Sequence, residues 1–339
     1  MSAPVLTPST LADPMLLASL AGGLVLLALG GDLLVRGAVR AGRALGATPL
    51  VAGIFIVALA TSLPEIFVSV NAAFAGSPGL AVGNIVGSSI ANVFLVLAIP
   101  ALIFPFAAGG PGQGRALFAT LLATALWIGM TAIMPLSPLV GICFLMVLIG
   151  YTGLSLFAAR RDEVAGKPTG IREHDAAGPP LWRALIYIPL GVTALVFGSG
   201  FIVEGADGLA RVAGVPEEYI GLTLLAVGTS LPEIGASLAA AFRKRSDVVV
   251  GNILGSNIIN ILGAGGIVAM SGPFEIARLF RTYDHWVMGF AALVLAVLIV
   301  TRARIGRLLA LLLLLLYAVY IYGLVNGVSL LGLYETLRG

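Results

Sequence analysis

The sequence predicts an all-α polytopic membrane protein, with ten transmembrane helices arranged as two inverted-topology repeats of five. Three observations predict it. The chain of 339 residues is 59% hydrophobic and 10% charged, where a soluble domain carries about 25% charged residues, and its mean hydropathy is +1.07. Apolar runs long enough to cross a bilayer, about 20 residues each, recur along nearly the whole length. One offset, 168 residues, lays Thr61-Ser62-Leu63-Pro64-Glu65-Ile66 on Thr229-Ser230-Leu231-Pro232-Glu233-Ile234 with every residue the same.

The ten runs cover about 15–38, 49–75, 79–105, 115–134, 137–159, 184–212, 219–242, 247–271, 284–302 and 306–327. The first follows a stretch, Met1 to Asp13, that holds no Lys or Arg, and it leads into Gly30-Gly31-Asp32. It therefore reads as a span and not as a cleaved signal peptide. The second and seventh carry the Thr-Ser-Leu-Pro-Glu motif. The third and eighth carry Gly83-Asn84-Ile85-Val86-Gly87-Ser88-Ser89-Ile90-Ala91-Asn92 and Gly251-Asn252-Ile253-Leu254-Gly255-Ser256-Asn257-Ile258-Ile259-Asn260. The fifth contains Cys143, the single cysteine, which can form no intrachain disulfide and reads as a core residue. The one markedly polar loop, about 160–180, is a connector too short to fold by itself. It separates a first repeat at 1–159 from a second at 181–339. His174 in that loop reads as solvated. His285, beside Trp286 at the start of the ninth span, reads as interfacial.

Ten spans put both termini on one side. Placed outside, they leave Arg36, Arg40, Arg43, Arg115, Arg160, Arg161, Lys167, Arg172, Arg183, Arg243, Lys244, Arg245, Arg302, Arg304 and Arg307 on the cytoplasmic side. Only Arg211, Arg278, Arg281 and Arg338 remain outside. This bias follows the positive-inside rule, so both termini are expected outside a plasma (inner) membrane. The net charge of +3 is accounted for at helix ends, and no nucleic-acid partner is implied.

Five is odd, so the second half enters the membrane from the opposite side to the first. Inverted repeats of this kind typify secondary transporters, whose substrate site lies near the midplane on interrupted helices. The matched positions run without a gap from Gly30/Gly198 to Asn92/Asn260 and include Gly37/Gly205, Gly46/Gly214, Gly53/Gly221, Ala58/Ala226, Ser69/Ser237 and Phe74/Phe242. The longest identical run is polar, whereas duplication of a mere scaffold would preserve apolar faces first.

Pro64 has no N–H for the carbonyl of Ala60, and Pro232 none for Gly228. The bends loosen Ala58 and Thr61, and likewise Ala226 and Thr229. Freed carbonyls in a membrane must line protein or a polar cavity. Ser62, Thr61, Ser230 and Thr229 add hydroxyl oxygens, and Glu65 and Glu233 add carboxylates. A proline kink capped by Thr and Ser is common in membrane helices; a mid-span glutamate, twice, is costly and points to function. Ser88 and Asn92, and Ser256 and Asn260, are four apart and share a helical face. Gly83, Gly87, Gly251 and Gly255 allow close helix approach there. No pocket His or Cys joins the set, so zinc and copper are poorly served. Two carboxylates with hard neutral oxygens suit Ca²⁺, Na⁺ in its place, or protons on the glutamates. A charge of −2 balances one Ca²⁺ or two monovalent cations.

These paired motifs, in both halves, resemble the cation/Ca²⁺ exchanger superfamily on the side of the Na⁺/Ca²⁺ exchangers and their prokaryotic antiporters. The resemblance implies a ten-helix fold and Ca²⁺ coordination by Glu65 and Glu233. It implies that oxygens at Thr61, Thr229, Ser62, Ser230, Ala58 and Ala226 share in Ca²⁺ and Na⁺ sites, with Ser88, Ser256, Asn92 and Asn260 completing the cluster. Several exchangers of this kind carry Asp where this chain has Asn260, which bears on Na⁺ stoichiometry. Ser89 stands where the second repeat has Asn257.

The function expected is therefore antiport of Ca²⁺ against Na⁺ by alternating access, with the first and sixth spans sliding across the site. H⁺/Ca²⁺ exchange and K⁺-dependent Na⁺/Ca²⁺ exchange would use the same oxygens. A channel with a glutamate filter fits inverted repeats poorly, and Ser62 and Ser230 have no His or Lys partner to activate them as nucleophiles. The protein is thus expected to be no enzyme and to need no cofactor. Its partners are inorganic cations and the lipid bilayer, with no obligatory protein partner.

Overall fold

Inside lipid every backbone polar group must be satisfied within the chain, and helices do this segment by segment. The computed structural model describes residues 14–44, 47–164, 180–212, 227–278 and 280–325. Its helices are α1 (Pro14–Ala44), α2 (Pro49–Thr61), α3 (Leu63–Phe74), α4 (Pro78–Ile103), α5 (Gln113–Ile133) and α6 (Pro138–Val164) in the first half. The second half has α7 (Leu181–Val212), α8 (Leu231–Phe242), α9 (Ser246–Ala269), α10 (Phe280–Val300) and α11 (Arg307–Val325). Eight of these are long and apolar enough to cross a membrane, and the bent pair α2 and α3 makes a ninth. The predicted seventh span is described over its second part, where α8 lies. Ala226 falls outside the described residues. Helix α6 runs on to Val164, into the stretch read as connector.

The layers are set by polarity turned inside out. Helix α9 is buried along its whole apolar length and α4 nearly so, although these two carry Asn84, Ser88, Asn92, Asn252, Ser256 and Asn260, all buried. Helices α6 and α7 stand outside them and present Leu139, Ile142, Met146, Ile149, Leu185 and Phe197 outward. Cys143 belongs to that outer face: it is exposed beside Ile142 and Met146, so it is a lipid-facing residue and not the core residue expected. His285 is also placed differently from expectation. A π-helical turn, Phe280–Asp284, opens α10 and turns Asp284 and His285 inward, while Trp286 takes the exposed position.

The inverted relation of the halves is written in the packing. Helices α1 and α7 pack on each other more extensively than any other pair, through glycines spaced seven apart. A Cβ on Gly23 would lie 2.7 Å from the Gly198 carbonyl, one on Gly30 would lie 2.8 Å from that of Gly191, and one on Gly37 2.7 Å from that of Ala184. Rising numbers on α1 meet falling numbers on α7, so the two helices are antiparallel. The 168-residue offset turns the contact Gly23 to Gly198 into Gly191 to Gly30. It turns Gly37 to Ala184 into Gly205 to Leu16, where the Leu16 carbonyl is 3.1 Å from the Gly205 Cβ position. A two-strand clip obeys the same rule. Strands β1 (Phe106–Ala107) and β2 (Arg304–Ile305) pair antiparallel, Phe106 opposite Ile305. Within one residue, the offset maps this pair onto the bridge between Leu136 and Phe274.

Candidate cation site between the repeats

Chain breaks build the site. Pro64 and Pro232 stand in the first turns of α3 and α8, where a missing N–H costs nothing. Just before them Ser62 and Ser230 leave helical geometry, with ψ near 0 in both. Helices α2 and α3 meet there at a 47° bend. The break puts Glu65 and Glu233 into the first turns of new helices, where the helix dipole favours a negative charge. Both are buried, at 2% and 0% exposure, and their carboxyl groups lie within electrostatic reach of each other.

Two further elements face the glutamates. Asn92 opens a π-helical turn in α4, Asn92–Val96, and Asn260 lies in another in α9, Ile259–Ala264. A π turn widens the helix by one residue and is frequent at functional sites. A third, Gly53–Val57, lies in α2 and packs on α9, with a Cβ on Gly251 only 2.7 Å from the Leu50 carbonyl.

The hydrogen bonds repeat with the sequence. Asn84 Nδ2 donates to the Glu65 carbonyl (3.0 Å) and to Ser69 Oγ (2.8 Å). Asn252 Nδ2 donates to the Glu233 carbonyl (3.4 Å) and to Ser237 Oγ (3.0 Å). Thr61 Oγ1 donates across the repeats to Asn252 Oδ1 (3.3 Å), and Thr229 Oγ1 to Asn84 Oδ1 (3.5 Å). The asparagines thus hold the glutamate helices by their backbones and tie one half to the other. Sequence reasoning gave Asn84, Asn252, Ser69 and Ser237 no role, although they are matched positions. Their identity in both repeats was the signal.

At the centre the symmetry breaks. Ser62 Oγ donates to Glu233 Oε1 at 3.1 Å, whereas its equivalent, Ser230 Oγ, has no partner among the described residues. Asn92 Nδ2 donates to Asn257 Oδ1 at 3.0 Å. Ser89, the equivalent of Asn257, turns back to the Ile85 carbonyl at 2.8 Å and leaves the Asn260 amide without a partner among the described residues. The Ala58 carbonyl accepts locally from the Ser62 N–H (2.9 Å), with the Thr61 hydroxyl, 3.3 Å away, shared between it and Asn252 Oδ1. Ser88 and Ser256 are buried on α4 and α9.

Eleven buried side-chain polar atoms lack a partner among the described residues, and eight of them belong to Glu65, Glu233, Ser230, Ser256, Asn92 and Asn260. Each such atom costs about 1–3 kcal/mol when left unpaired, so their concentration at one place calls for a ligand. Seven of the eight are oxygens, two from Glu65 and one from each of the others. Oxygens without donors, around two carboxylates, fit a hard cation. No group of three or more His, Cys, Asp or Glu side chains comes together among the described residues, so the donor set is two carboxylates and neutral oxygens.

Known proteins resemble this chain in sequence and in fold. The profile of the family described as "Sodium/calcium exchanger protein" matches residues 15–157 and 183–326. The chain is 35% identical to the "Putative antiporter CaxA" of Alkalimonas amylolytica, over 84% of this chain and 89% of that one. It is 28% identical to the "Sodium/calcium exchanger MaX1" of Methanosarcina acetivorans, over 88% and 95%. Among solved structures, the sodium-calcium exchanger NCX_Mj soaked with 10 mM Na⁺ and zero Ca²⁺ superposes with a TM-score of 0.76 at 29% identity, covering 92% of this chain and 99% of that one.

Proposed function

The chain belongs to the sodium/calcium exchanger family, and from that premise we propose that it exchanges Ca²⁺ for Na⁺ at the single site between Glu65 and Glu233. It is an integral multi-pass membrane transporter of the exchanger type. The observation that carries the reading is the cluster of oxygens with no partner among the described residues around two buried carboxylates. With both glutamates ionised the empty site is a charge of −2 in a low-dielectric interior, which is costly. One Ca²⁺ or two Na⁺ neutralise it equally well, so the loaded site crosses and the empty one does not. That is the electrostatic requirement for exchange.

The transport we propose is alternating access, and the close packing of α1 on α7 supports it. The pair α1 and α7 slides over the core that carries Glu65, Glu233 and the two asparagine-bearing helices. Its glycine stripes bring the two helices into close backbone contact, so that they can move as one unit. Ser62, Ser230, Thr61, Thr229, Ser88, Ser256, Asn92 and Asn260, with the backbone at Ala58 and Ala226, complete the coordination as ions enter from either side. Both termini lie outside the plasma membrane, one chain is sufficient, and no cofactor takes part. In the cell the inward Na⁺ gradient drives Ca²⁺ out.

The test is ⁴⁵Ca²⁺ uptake by Na⁺-loaded proteoliposomes, with and without an outward Na⁺ gradient. Uptake that requires the gradient supports the reading. Uptake indifferent to Na⁺ and driven by a pH gradient would replace Na⁺ with H⁺ at the same oxygens, and a requirement for K⁺ beside Na⁺ would add it as a co-ion.

A further inference from the structure

One buried carboxylate lies outside the central site. Asp284 closes the π-helical turn that opens α10 and is 1% exposed. Its Oδ1 accepts a 2.9 Å hydrogen bond from the Tyr320 hydroxyl of α11. Its Oδ2 has no partner among the described residues, and none of the ion pairs among them includes it. The packing of the helix does not require a carboxylate here. The 168-residue offset, carried on into α5, puts Ala116 at the equivalent position, also buried. An uncompensated acid inside a membrane bundle is a functional feature by default.

Asp284 lines a cavity of about 210 Å³ between α4, α10 and α11. Asn84 and Ser88, two residues of the central site's frame, line it as well, together with Tyr317 and Tyr320. On α4 the wall is stripped bare by Gly79, Gly83 and Gly87. A Cβ on Gly79 or Gly87 would meet nothing within 4 Å. In the other repeat the equivalents of Gly83 and Gly87 are filled: Gly251 and Gly255 pack on the backbone of α2 at Leu50 and Ile54. The same glycines therefore serve close packing in one half and leave open space in the other. Most of the wall is apolar, and its polar groups are those of Asp284, Tyr317, Tyr320, Ser88 and Asn84, with room beside them for one small ion.

We infer that Asp284 and Tyr320 form a second cation site, which holds one monovalent cation in this cavity beside the Ser88 and Asn84 edge of the exchange site. The inference rests on the exchange reading above and deepens it, since the ion staged there is Na⁺ on its way to or from the two glutamates. One carboxylate charge with neutral phenol, hydroxyl and amide oxygens balances a single alkali cation. Ca²⁺ draws on more carboxylate than this cavity offers.

The test separates Na⁺ from Ca²⁺ dependence in reconstituted full-length protein. Na⁺-driven ⁴⁵Ca²⁺ efflux is measured against Na⁺ concentration, and ⁴⁵Ca²⁺/Ca²⁺ self-exchange in Na⁺-free medium against Ca²⁺ concentration. In Asp284→Asn the half-saturating Na⁺ concentration should rise about fivefold or more, the scale of an ordinary site-to-site coupling, and the half-saturating Ca²⁺ concentration by much less. Tyr320→Phe, which keeps the charge and loses one hydrogen bond, should shift Na⁺ dependence in the same direction and less far. If Asp284→Asn does not assemble, Tyr320→Phe decides alone. Unchanged Na⁺ dependence overturns the inference, and so do parallel shifts in both exchange modes, which mark a structural role. Wild-type protein whose Ca²⁺ flux ignores Na⁺ removes the exchange reading and this inference with it, a failure visible before any variant is compared.

Discussion

Glu65 and Glu233 supply charge, and Asn84 and Asn252 supply position. The distinction predicts two kinds of mutant. Glu65→Gln and Glu233→Gln keep volume and remove a charge that has no basic partner among the described residues, so the folded protein should persist with an unchanged or higher Tm while ⁴⁵Ca²⁺ uptake disappears. Wild-type uptake by either variant would sink the assignment. Asn84→Ala and Asn252→Ala remove the donors that hold the Glu65 and Glu233 carbonyls and the acceptors for Thr229 and Thr61. Each leaves buried polar groups unpaired and should cost about 1–3 kcal/mol of stability, read as a lower Tm in detergent. Because the two networks are equivalents, the two losses should be similar; a large effect from one and none from the other would contradict shared roles. Neither asparagine stood out from its neighbours in the sequence, since a buried amide reveals its partners only once two helices meet.

At the scale of elements, the glycines of α1 and α7 and the prolines of α3 and α8 act through the backbone. A Cβ on Gly191 would come within 2.6 Å of the Leu34 nitrogen and 2.7 Å of the Gly30 carbonyl, whereas one on Gly22 would meet nothing within 4 Å. Gly191→Val should therefore push α1 from α7, at about 1–3 kcal/mol for overpacking, and lower both Tm and exchange rate. Gly22→Val on the same pair should change neither. Equal tolerance of both would show that the close approach does not matter. An ion pair also ties the middle of α1 to the core. Asp32 of α1 bonds Arg243, just past α8, and Arg36 at 2.7 Å, and the offset puts Gly200 where a second Asp32 would be. Such half-exposed pairs contribute about 0–1 kcal/mol, weak enough to part if α1 moves.

For the whole molecule, the pseudo-two-fold relation accounts for packing, hydrogen bonds and loop clips together, and it breaks at the candidate cation site. The basic residues break it too. Lys244 and Arg302, both in left-handed turns, lie with Arg245 on one surface recess, on the side that charge bias assigns to the cytoplasm. With Cys143 replaced by alanine, a cysteine at position 244 (Lys244→Cys) should react with a membrane-impermeant thiol reagent only from the cytoplasmic side. Labelling of intact cells from outside would reverse the orientation.

The sequence by itself determined the membrane class, the span order, the inverted repeat and the two glutamates, because each is a statement about composition, period or identity at a fixed offset. Ser62, Ser230, Ser88, Ser256, Asn92 and Asn260 were legible for the same reason, as oxygens repeated in apolar surroundings. Only the tertiary structure decided which side of a helix a residue faces and what it meets there. Cys143 and His285 exchanged their expected surroundings because a span uniformly rich in apolar residues carries little pattern to mark its buried face, and a π turn rotates the helix beyond it. Asp284 reads as one acid near a span end; it becomes a buried, half-partnered carboxylate only when α4, α10 and α11 enclose it. Nor could identity at the offset show that Ser62 reaches Glu233 while Ser230 is left without a partner among the described residues. Both serines stand in the same six-residue run, Thr-Ser-Leu-Pro-Glu-Ile, and only their placement in the fold tells them apart.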